Sequence, residues 1–264
     1  MTYSGILHKM QVKYADPVEY FLPLEQGEIF VNELLGKKII LQHTGEKFCV
    51  KCGAKTNKTF GEGFCYHCFI SAPEADVCIV HPEKCRAHEG ISRDLEWSKS
   101  HCLTEHYVYL AVTSGLKVGV TRKSQIPTRW IDQGAVKAIK LAKTPYRQLA
   151  GEIEVFLKQF YADKTGWQKM LKNEIEQADL VEAKRNAASL LRNDLKQYLC
   201  LDNEVLEINY PVLKYPQKVK SLNFDKTPQI EGVLTGIKGQ YLIFDTGEVL
   251  NIRRFSGYFV NFDF

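Results

Sequence analysis

The chain has 264 residues and a formal net charge of +4, with 45% hydrophobic and 25% charged residues. This composition is typical of a soluble globular protein, and the length is sufficient for about two or three small domains. No apolar run reaches the ~18 residues of a transmembrane helix. The segment MTYSGILHKMQVKY is too polar for a signal peptide, so we expect a cytoplasmic protein without a membrane partner.

Two segments precede the middle of the chain. Residues 1–47 are predicted as an N-terminal β segment, because ILHKMQV, EYFLPL, IFVNELL and KKIILQH partly alternate apolar and polar residues. Residues 48–105 contain seven of the eight cysteines and little continuous apolar pattern. In a cytosolic protein such cysteines indicate metal binding rather than disulfides, so 48–105 is predicted as a zinc-binding segment, similar to a zinc-ribbon insert.

The first candidate metal site is a pair of CxxC motifs. Cys49 and Cys52 are followed, after twelve residues, by Cys65 and Cys68. Two-residue spacers allow both thiolates of a pair to reach one ion, and four thiolates complete a tetrahedral Zn²⁺ shell. The spacing therefore predicts a structural zinc ion with no open coordination position.

A second candidate site follows in DVCIVHPEKCRAHEGISRDLEWSKSHCLTEH. Its predicted ligands are Cys78, Cys85, His88 and Cys102. The Cys85–His88 spacing equals that of a metal-binding knuckle, whereas His81, His101 and His106 are rival ligands. The pattern predicts a second structural zinc ion, which would help to fold a segment poor in apolar residues.

The remaining segments complete an α+β fold. Residues 106–172 contain two predicted strands, YVYLAV and LKVGVT, joined by a tight turn, and then the amphipathic helix YRQLAGEIEVFLKQFYA. The stretch from Glu105 to Lys172 contains twelve Lys and Arg but five Asp and Glu, which indicates either a surface that binds a polyanion or a solvated lysine-rich face. Residues 173–205 are predicted as a helical extension and residues 206–264 as a small C-terminal β domain.

Residues 106–172 resemble the core of the GIY-YIG nuclease superfamily. The resemblance rests on Tyr109 in YVYLA, Val118-Gly119 in LKVGVT, Arg129 in Thr-Arg-Trp, and a carboxylate on a later helix. The whole chain also resembles the domain-of-unknown-function 2797 family, through HYVYLA, LKVGVTR, IPTRWIDQGA and ADKTGW. That family is itself of unsettled function.

The nuclease resemblance implies a role for each matching residue. Tyr109 would orient or activate water, Arg129 would neutralise charge developing on a phosphate, and Glu154 would hold Mg²⁺. Glu152 is a rival carboxylate on the same helix.

Two residues depart from the nuclease pattern. Lys117 stands where the second tyrosine is expected, and Gln133 stands where many members have histidine. A lysine can contact phosphate as a point charge, but it can replace the phenol only if its pKa is strongly lowered.

The sequence therefore predicts a zinc-containing protein that binds DNA or RNA. The predicted nucleic-acid contacts are Lys117, Arg122, Lys123, Arg129 and Trp130, and the predicted catalytic residues are Tyr109, Lys117, Arg129 and Glu154. Three hypotheses stay open: a Mg²⁺-dependent nuclease that cleaves phosphodiesters, a non-catalytic nucleic-acid-binding module, and a zinc-stabilised protein-interaction scaffold. The sequence does not indicate an oligomeric state.

Overall fold

A computed structural model describes residues 2–264 and contains two compact units. Unit 1 comprises the chain up to Ile70, Leu171–Asn173 and Asn209–Phe264, and unit 2 comprises Ser71–Met170 and Glu174–Ile208. Helices and several sheets are both present, so the predicted α+β class is confirmed. Among residues 2–264, no helix combines the length and the apolar character needed to cross a membrane.

The strands are β1 (Thr2–Ile6), β2 (Gln11–Lys13), β3 (Glu19–Leu24), β4 (Gly27–Phe30), β5 (Lys38–Lys47), β6 (His106–Val112), β7 (Leu116–Arg122), β8 (Lys137–Thr144), β9 (Val205–Glu207), β10 (Lys220–Ser221), β11 (Gln229–Lys238), β12 (Tyr241–Phe244), β13 (Glu248–Asn251) and β14 (Tyr258–Asp263). The α-helices are α1 (Tyr66–Ser71), α2 (Leu95–His101), α3 (Thr128–Asp132), α4 (Arg147–Leu157), α5 (Trp167–Leu171), α6 (Leu180–Leu190) and α7 (Asn193–Lys196).

Unit 1 is built on a seven-stranded sheet of order β1-β14-β5-β11-β12-β13-β10. Strand β5 lies between β14 and β11 and pairs antiparallel with both. Ile39 and Leu41 of β5 are buried, whereas Lys38 and Gln42 are exposed, which is the alternation of a strand with one face in the core. The predicted segments 1–47 and 206–264 thus contribute strands to one sheet. Strands β2, β3 and β4 form a separate meander, and β3 coincides with the predicted strand EYFLPL.

Unit 2 contains a four-stranded antiparallel sheet of order β7-β6-β8-β9, in which β7 is an edge strand. The predicted hairpin is confirmed, because β6 pairs with β7 in a register that sets Tyr109 opposite Gly119 and Ala111 opposite Lys117. Helices α4 and α6 bury their apolar residues against this sheet. Its core includes Val108, Leu110, Val118, Ile139, Leu149, Ile153, Leu157, Leu180, Ala183 and Ala187.

A lysine is buried in the core of unit 1. Lys238, at the end of β11, is 0% exposed, and its Nζ lies 3.2 Å from Asn173 Oδ1. The same nitrogen lies 5.3 Å and 5.2 Å from the ring centroids of Tyr210 and Tyr215, so two cation–π contacts partly replace its hydration. Burial nevertheless lowers the pKa of Lys238 to about 8.

We expect the substitution Lys238→Met to stabilise the protein below pH 8. The lysine is charged there in both the folded and the unfolded chain, and the burial penalty is fully present. Between pH 8 and the ordinary lysine pKa the unfolded chain binds more protons, so the unfolding free energy of the wild type rises with pH. The variant's advantage in denaturant unfolding should therefore shrink by about 3 kcal/mol over this window. If the stability difference between Lys238→Met and the wild type does not change with pH, the lowered pKa of Lys238 is contradicted.

Candidate functional site

The four-cysteine cluster of unit 1 consists of Cys49, Cys52, Cys65 and Cys68. Its ligand atoms all lie within 4.8 Å of one another, and Cys52 Sγ is 3.9 Å from Cys65 Sγ. Tetrahedral zinc with Zn–S bonds of about 2.3 Å requires sulfurs about 3.8 Å apart. The cluster that the sequence spacing predicts therefore fits one ion.

Backbone hydrogen bonds around the four-cysteine cluster shape its first turn and favour the thiolate form of Cys49. Gly53 adopts φ +71° and donates its N–H to Cys49 O at 2.9 Å, which closes the first turn. Burial raises the pKa of the Cys49 thiol, but backbone N–H donors, led by that of Cys65, outweigh it and lower the pKa to about 6. A thiolate is the metal-binding form of cysteine, so these donors favour coordination.

The three-cysteine cluster of unit 2 consists of Cys78, Cys85 and Cys102. All three are buried, and their sulfurs lie within 4.8 Å of one another. The structure does not bring the predicted fourth ligand, His88, into this group. Its ring stacks on Tyr146 instead, with centroids 4.9 Å apart. The spacing of Cys85 and His88 in sequence was therefore insufficient to place both side chains on one ion.

Arg147, the first residue of α4, supports the three-cysteine cluster. Its Nη1 donates to Cys78 O at 3.0 Å and lies 4.0 Å from Cys78 Sγ. Its Nη2 donates to His101 O at 3.0 Å, and its backbone N–H donates to Cys102 O at 2.8 Å. A buried guanidinium at this distance offsets the negative charge of thiolates bound to a divalent ion.

Helix α4 also packs directly against the backbone of the cysteine-containing segment. A Cβ placed at Gly151 would overlap the backbone of Pro82 and Glu83. A larger residue at this position would push the helix away from the turn between Cys78 and Cys85. The close approach thus links the position of α4 to the three-cysteine cluster.

Tyr109 is buried on β6 and contacts the residues predicted for phosphate binding. Its hydroxyl donates to Gln133 Oε1 at 2.9 Å and also interacts with Arg129. A Cβ at Gly119 would lie 2.6 Å from the hydroxyl oxygen, so the absence of a side chain on β7 allows this position. Burial raises the pKa of Tyr109 to about 12, and the phenol therefore stays protonated at neutral pH.

Lys117, on β7, is 4% exposed and lies close to Arg129 of α3. Burial first, and then the positive charge of Arg129, lower its pKa to about 8, against the opposing effect of Glu154 and Asp163. The amine therefore loses its proton near pH 8 instead of near the ordinary lysine pKa. The lowered pKa meets the condition under which a lysine can exchange a proton with a reacting group.

Two carboxylates complete the charged cluster, which we define as Lys117, Arg129, Glu154, Lys158 and Asp163. Glu154 is 8% exposed, and Lys158 Nζ lies 3.4 Å from Glu154 Oε2 and 3.6 Å from Asp163 Oδ2. The chain after α4 runs beside β7, with Val118 N donating to Ala162 O at 2.8 Å, and this places Asp163 near Lys117.

The rival carboxylate, Glu152, lies outside the charged cluster. It is paired with Arg192 at the surface. The buried Glu154 is the α4 carboxylate whose charge acts on both Lys117 and Tyr109. The structure therefore favours Glu154 over Glu152.

The other predicted nucleic-acid contacts are placed elsewhere. Arg122 is half-buried near Arg147 and Cys102, at the three-cysteine cluster. Lys123 Nζ forms an ion pair with Glu105 Oε2 at 2.7 Å. Trp130 is only 3% exposed, so its ring has no free face on which a base could stack. Of the five predicted contacts, only Lys117 and Arg129 lie in the charged cluster.

Three residues in or beside the charged cluster were not among the predicted site residues. Gln133 was noted only as a departure from the nuclease pattern, yet it accepts the Tyr109 hydrogen bond. Lys158 follows Glu154 by four residues, a spacing that predicts an ion pair on a helix. Asp163 lies in the ADKTGW motif and carried no separate signal of proximity to β7.

We expect purified protein to contain two tightly bound metal ions per chain, measured by elemental analysis. Cys65→Ser and Cys85→Ser should each lose one ion, because each removes a sulfur from a different cluster. Cys200→Ser is the matched control, since Cys200 belongs to neither cluster, and it should retain both ions. A wild-type content near zero would contradict both sites.

A comparison with known protein families and proteins identifies the chain at the family level. No curated protein and no solved structure matches it significantly. One family model, described as "Protein of unknown function (DUF2797)", matches residues 36–260. This range includes both cysteine clusters and the whole charged cluster. The chain therefore belongs to the DUF2797 family.

Proposed function

We propose that the protein binds nucleic acid and hydrolyses a phosphodiester bond in a Mg²⁺-dependent reaction at the charged cluster. The observation that carries this proposal is the convergence of Tyr109, Lys117, Arg129 and Glu154, contributed by β6, β7, α3 and α4. The GIY-YIG resemblance assigned these positions to one phosphate site. Their proximity in unit 2 supports that assignment.

Arg129 is the proposed phosphate ligand. Its guanidinium can form two hydrogen bonds to one phosphate and offset charge that develops on the phosphoryl oxygens. The buried hydroxyl of Tyr109 interacts with Arg129 and is bonded to Gln133, so we assign Tyr109 to positioning Arg129. This role differs from the water activation that the resemblance implies.

Lys117 is the proposed general base. In its neutral form it accepts a proton from the attacking water, whose oxygen forms a new bond to phosphorus while the bond to the leaving oxygen breaks. The lowered pKa of Lys117 supports this role, since a neutral amine is available near pH 8. Lys117 thus takes the chemical place of the missing phenol.

Glu154 and Asp163 are the proposed Mg²⁺ ligands. Both offer the oxygen donors that Mg²⁺ prefers, and Lys158 lies within 3.6 Å of each carboxylate, where a cation already offsets their charge. Bound Mg²⁺ would supply charge stabilisation at the phosphate.

The two cysteine clusters are proposed to hold zinc. Thiolate donors at tetrahedral spacing favour Zn²⁺ over the oxygen-preferring Mg²⁺. In the four-cysteine cluster the ion has a structural role, since four protein sulfurs complete its shell.

Cleavage of labelled structured DNA and RNA, with and without Mg²⁺, tests the proposed function. We expect Mg²⁺-dependent products, and a loss of about 100-fold or more in Arg129→Ala and Glu154→Gln. Glu152→Gln is the matched control, because it removes a carboxylate from the same helix outside the charged cluster. If Glu154→Gln still cleaves, the assignment of Glu154 as a Mg²⁺ ligand is wrong. Salt-sensitive binding without any cleavage would instead support the non-catalytic module.

The pH dependence of cleavage tests Lys117. The rate should rise with pH through about 8, because the reactive amine is the deprotonated form. Lys117→Met should lower the rate by about 100-fold and abolish this rise. Lys137→Met is the control, since Lys137 is paired with Glu207 on the neighbouring strands. If the pH profile of Lys117→Met is unchanged, Lys117 is not the general base, and its proposed role is reduced to contacting the phosphate.

A further inference from the structure

The three-cysteine cluster provides three ligands for a metal ion but no fourth. Among residues 2–264, no other Cys, His, Asp or Glu ligand atom lies within 4.8 Å of all three sulfurs. A tetrahedral ion would therefore have one coordination position that the protein does not occupy. This arrangement differs from the four-cysteine cluster, where the shell is complete.

The histidines near the three-cysteine cluster are held by other contacts. His81 Nδ1 lies 3.2 Å from Glu83 Oε1, and His106 Nδ1 lies 2.7 Å from Thr104 O. The ring of His88 stacks on Tyr146, and the ring of His101 stacks on Trp97 with centroids 3.9 Å apart. His106 is the strongest rival ligand. It is 1% exposed, and its Nε2 has no hydrogen-bond partner among the described residues. This nitrogen nevertheless lies outside the group of three sulfurs.

A cavity reaches the three sulfurs. Its volume is about 350 Å³, and Cys78, Cys85 and Cys102 form part of its wall together with Ile91 and Trp97. This volume is in the range of small-molecule sites in proteins, and the wall combines apolar side chains with charged ones. A small ligand in the cavity can therefore reach the position of the metal.

The charges around the cavity favour an anionic ligand. Lys84, Arg86 and Arg93 line it together with one acid, Asp76. Arg93 is paired with Asp76 at 3.2 Å and Arg86 with Glu89 at 2.8 Å, so Lys84 gives this lining its net positive charge. A divalent ion with three thiolates has a net charge of −1, and the buried Arg147 at 4.0 Å from Cys78 Sγ offsets this charge. A further negative ligand is then tolerated.

We propose that the three-cysteine cluster is a metal site with an exchangeable fourth position, which takes a small thiol carrying an anionic group. Three sulfur donors make the ion a soft acceptor, for which a fourth sulfur is a suitable ligand. On binding, the thiol loses its proton to solvent, and its sulfur bonds to the metal in place of a water molecule. The anionic group lies toward the basic wall of the cavity.

The full-length protein loaded with ¹¹³Cd²⁺ tests this proposal without any substitution. Its two centres should give two separate NMR resonances, and mercaptoacetate should shift one of them in a saturable manner. The resonance of the four-cysteine cluster should stay unchanged. Propionate is the matched probe that lacks the thiol, and it should shift neither resonance. If mercaptoacetate at tens of millimolar shifts neither resonance, the proposal is wrong.

Histidine variants test whether an external ligand or a histidine of the protein occupies the fourth coordination position. Under the proposal, His88→Ala and His106→Ala leave both ¹¹³Cd resonances of the thiol-free protein unchanged. A large shift of the responsive resonance in either variant would show that the protein supplies the fourth ligand, and would overturn the proposal. Cys65→Ser should retain the mercaptoacetate response, because its sulfur belongs to the other cluster.

Discussion

The close packing of α4 against the Pro82–Glu83 backbone is the constraint on which the organisation of unit 2 depends. Glycine in a helix costs about 1 kcal/mol relative to alanine, yet any side chain at position 151 would overlap this backbone. The same helix contributes Arg147 to the three-cysteine cluster, Ile153 and Leu157 to the core, and Glu154 to the charged cluster. A short helix thus contacts the three-cysteine cluster, the four-stranded sheet and the charged cluster.

Burial of charge lowers the pKa of Lys117 in the charged cluster. Lys117 is on an edge strand, where a lysine is ordinarily exposed and fully protonated, but the chain after α4 runs beside this strand and covers it. Removal from water and the adjacent Arg129 disfavour the ammonium form. Such perturbed groups are frequent at functional sites, and an unsupported buried charge would destabilise the fold. We therefore place the proposed phosphate chemistry at the charged cluster.

Local patterns predicted the elements of the fold well, and long-range partners poorly. Alternation placed β3 and the β6–β7 hairpin, because each depends on residues close in sequence. It could not show that β5 pairs with both β11 and β14, since a strand's pattern reports the buried face and not its neighbours. The same limit applies to His88, whose spacing from Cys85 fits a knuckle although its ring stacks on Tyr146.

The amino-acid sequence by itself determined the features that depend on spacing: the four-cysteine cluster, the α+β class and the β6–β7 hairpin. Short spacers restrict where two thiolates can lie, so the ligand set follows from the order of residues. Only the tertiary structure decided which carboxylate joins Lys117 and why the pKa of that lysine is lowered. It also showed that, among residues 2–264, the second cluster consists of three cysteines without His88. These properties arise from burial and from contacts between distant segments, which no local pattern encodes.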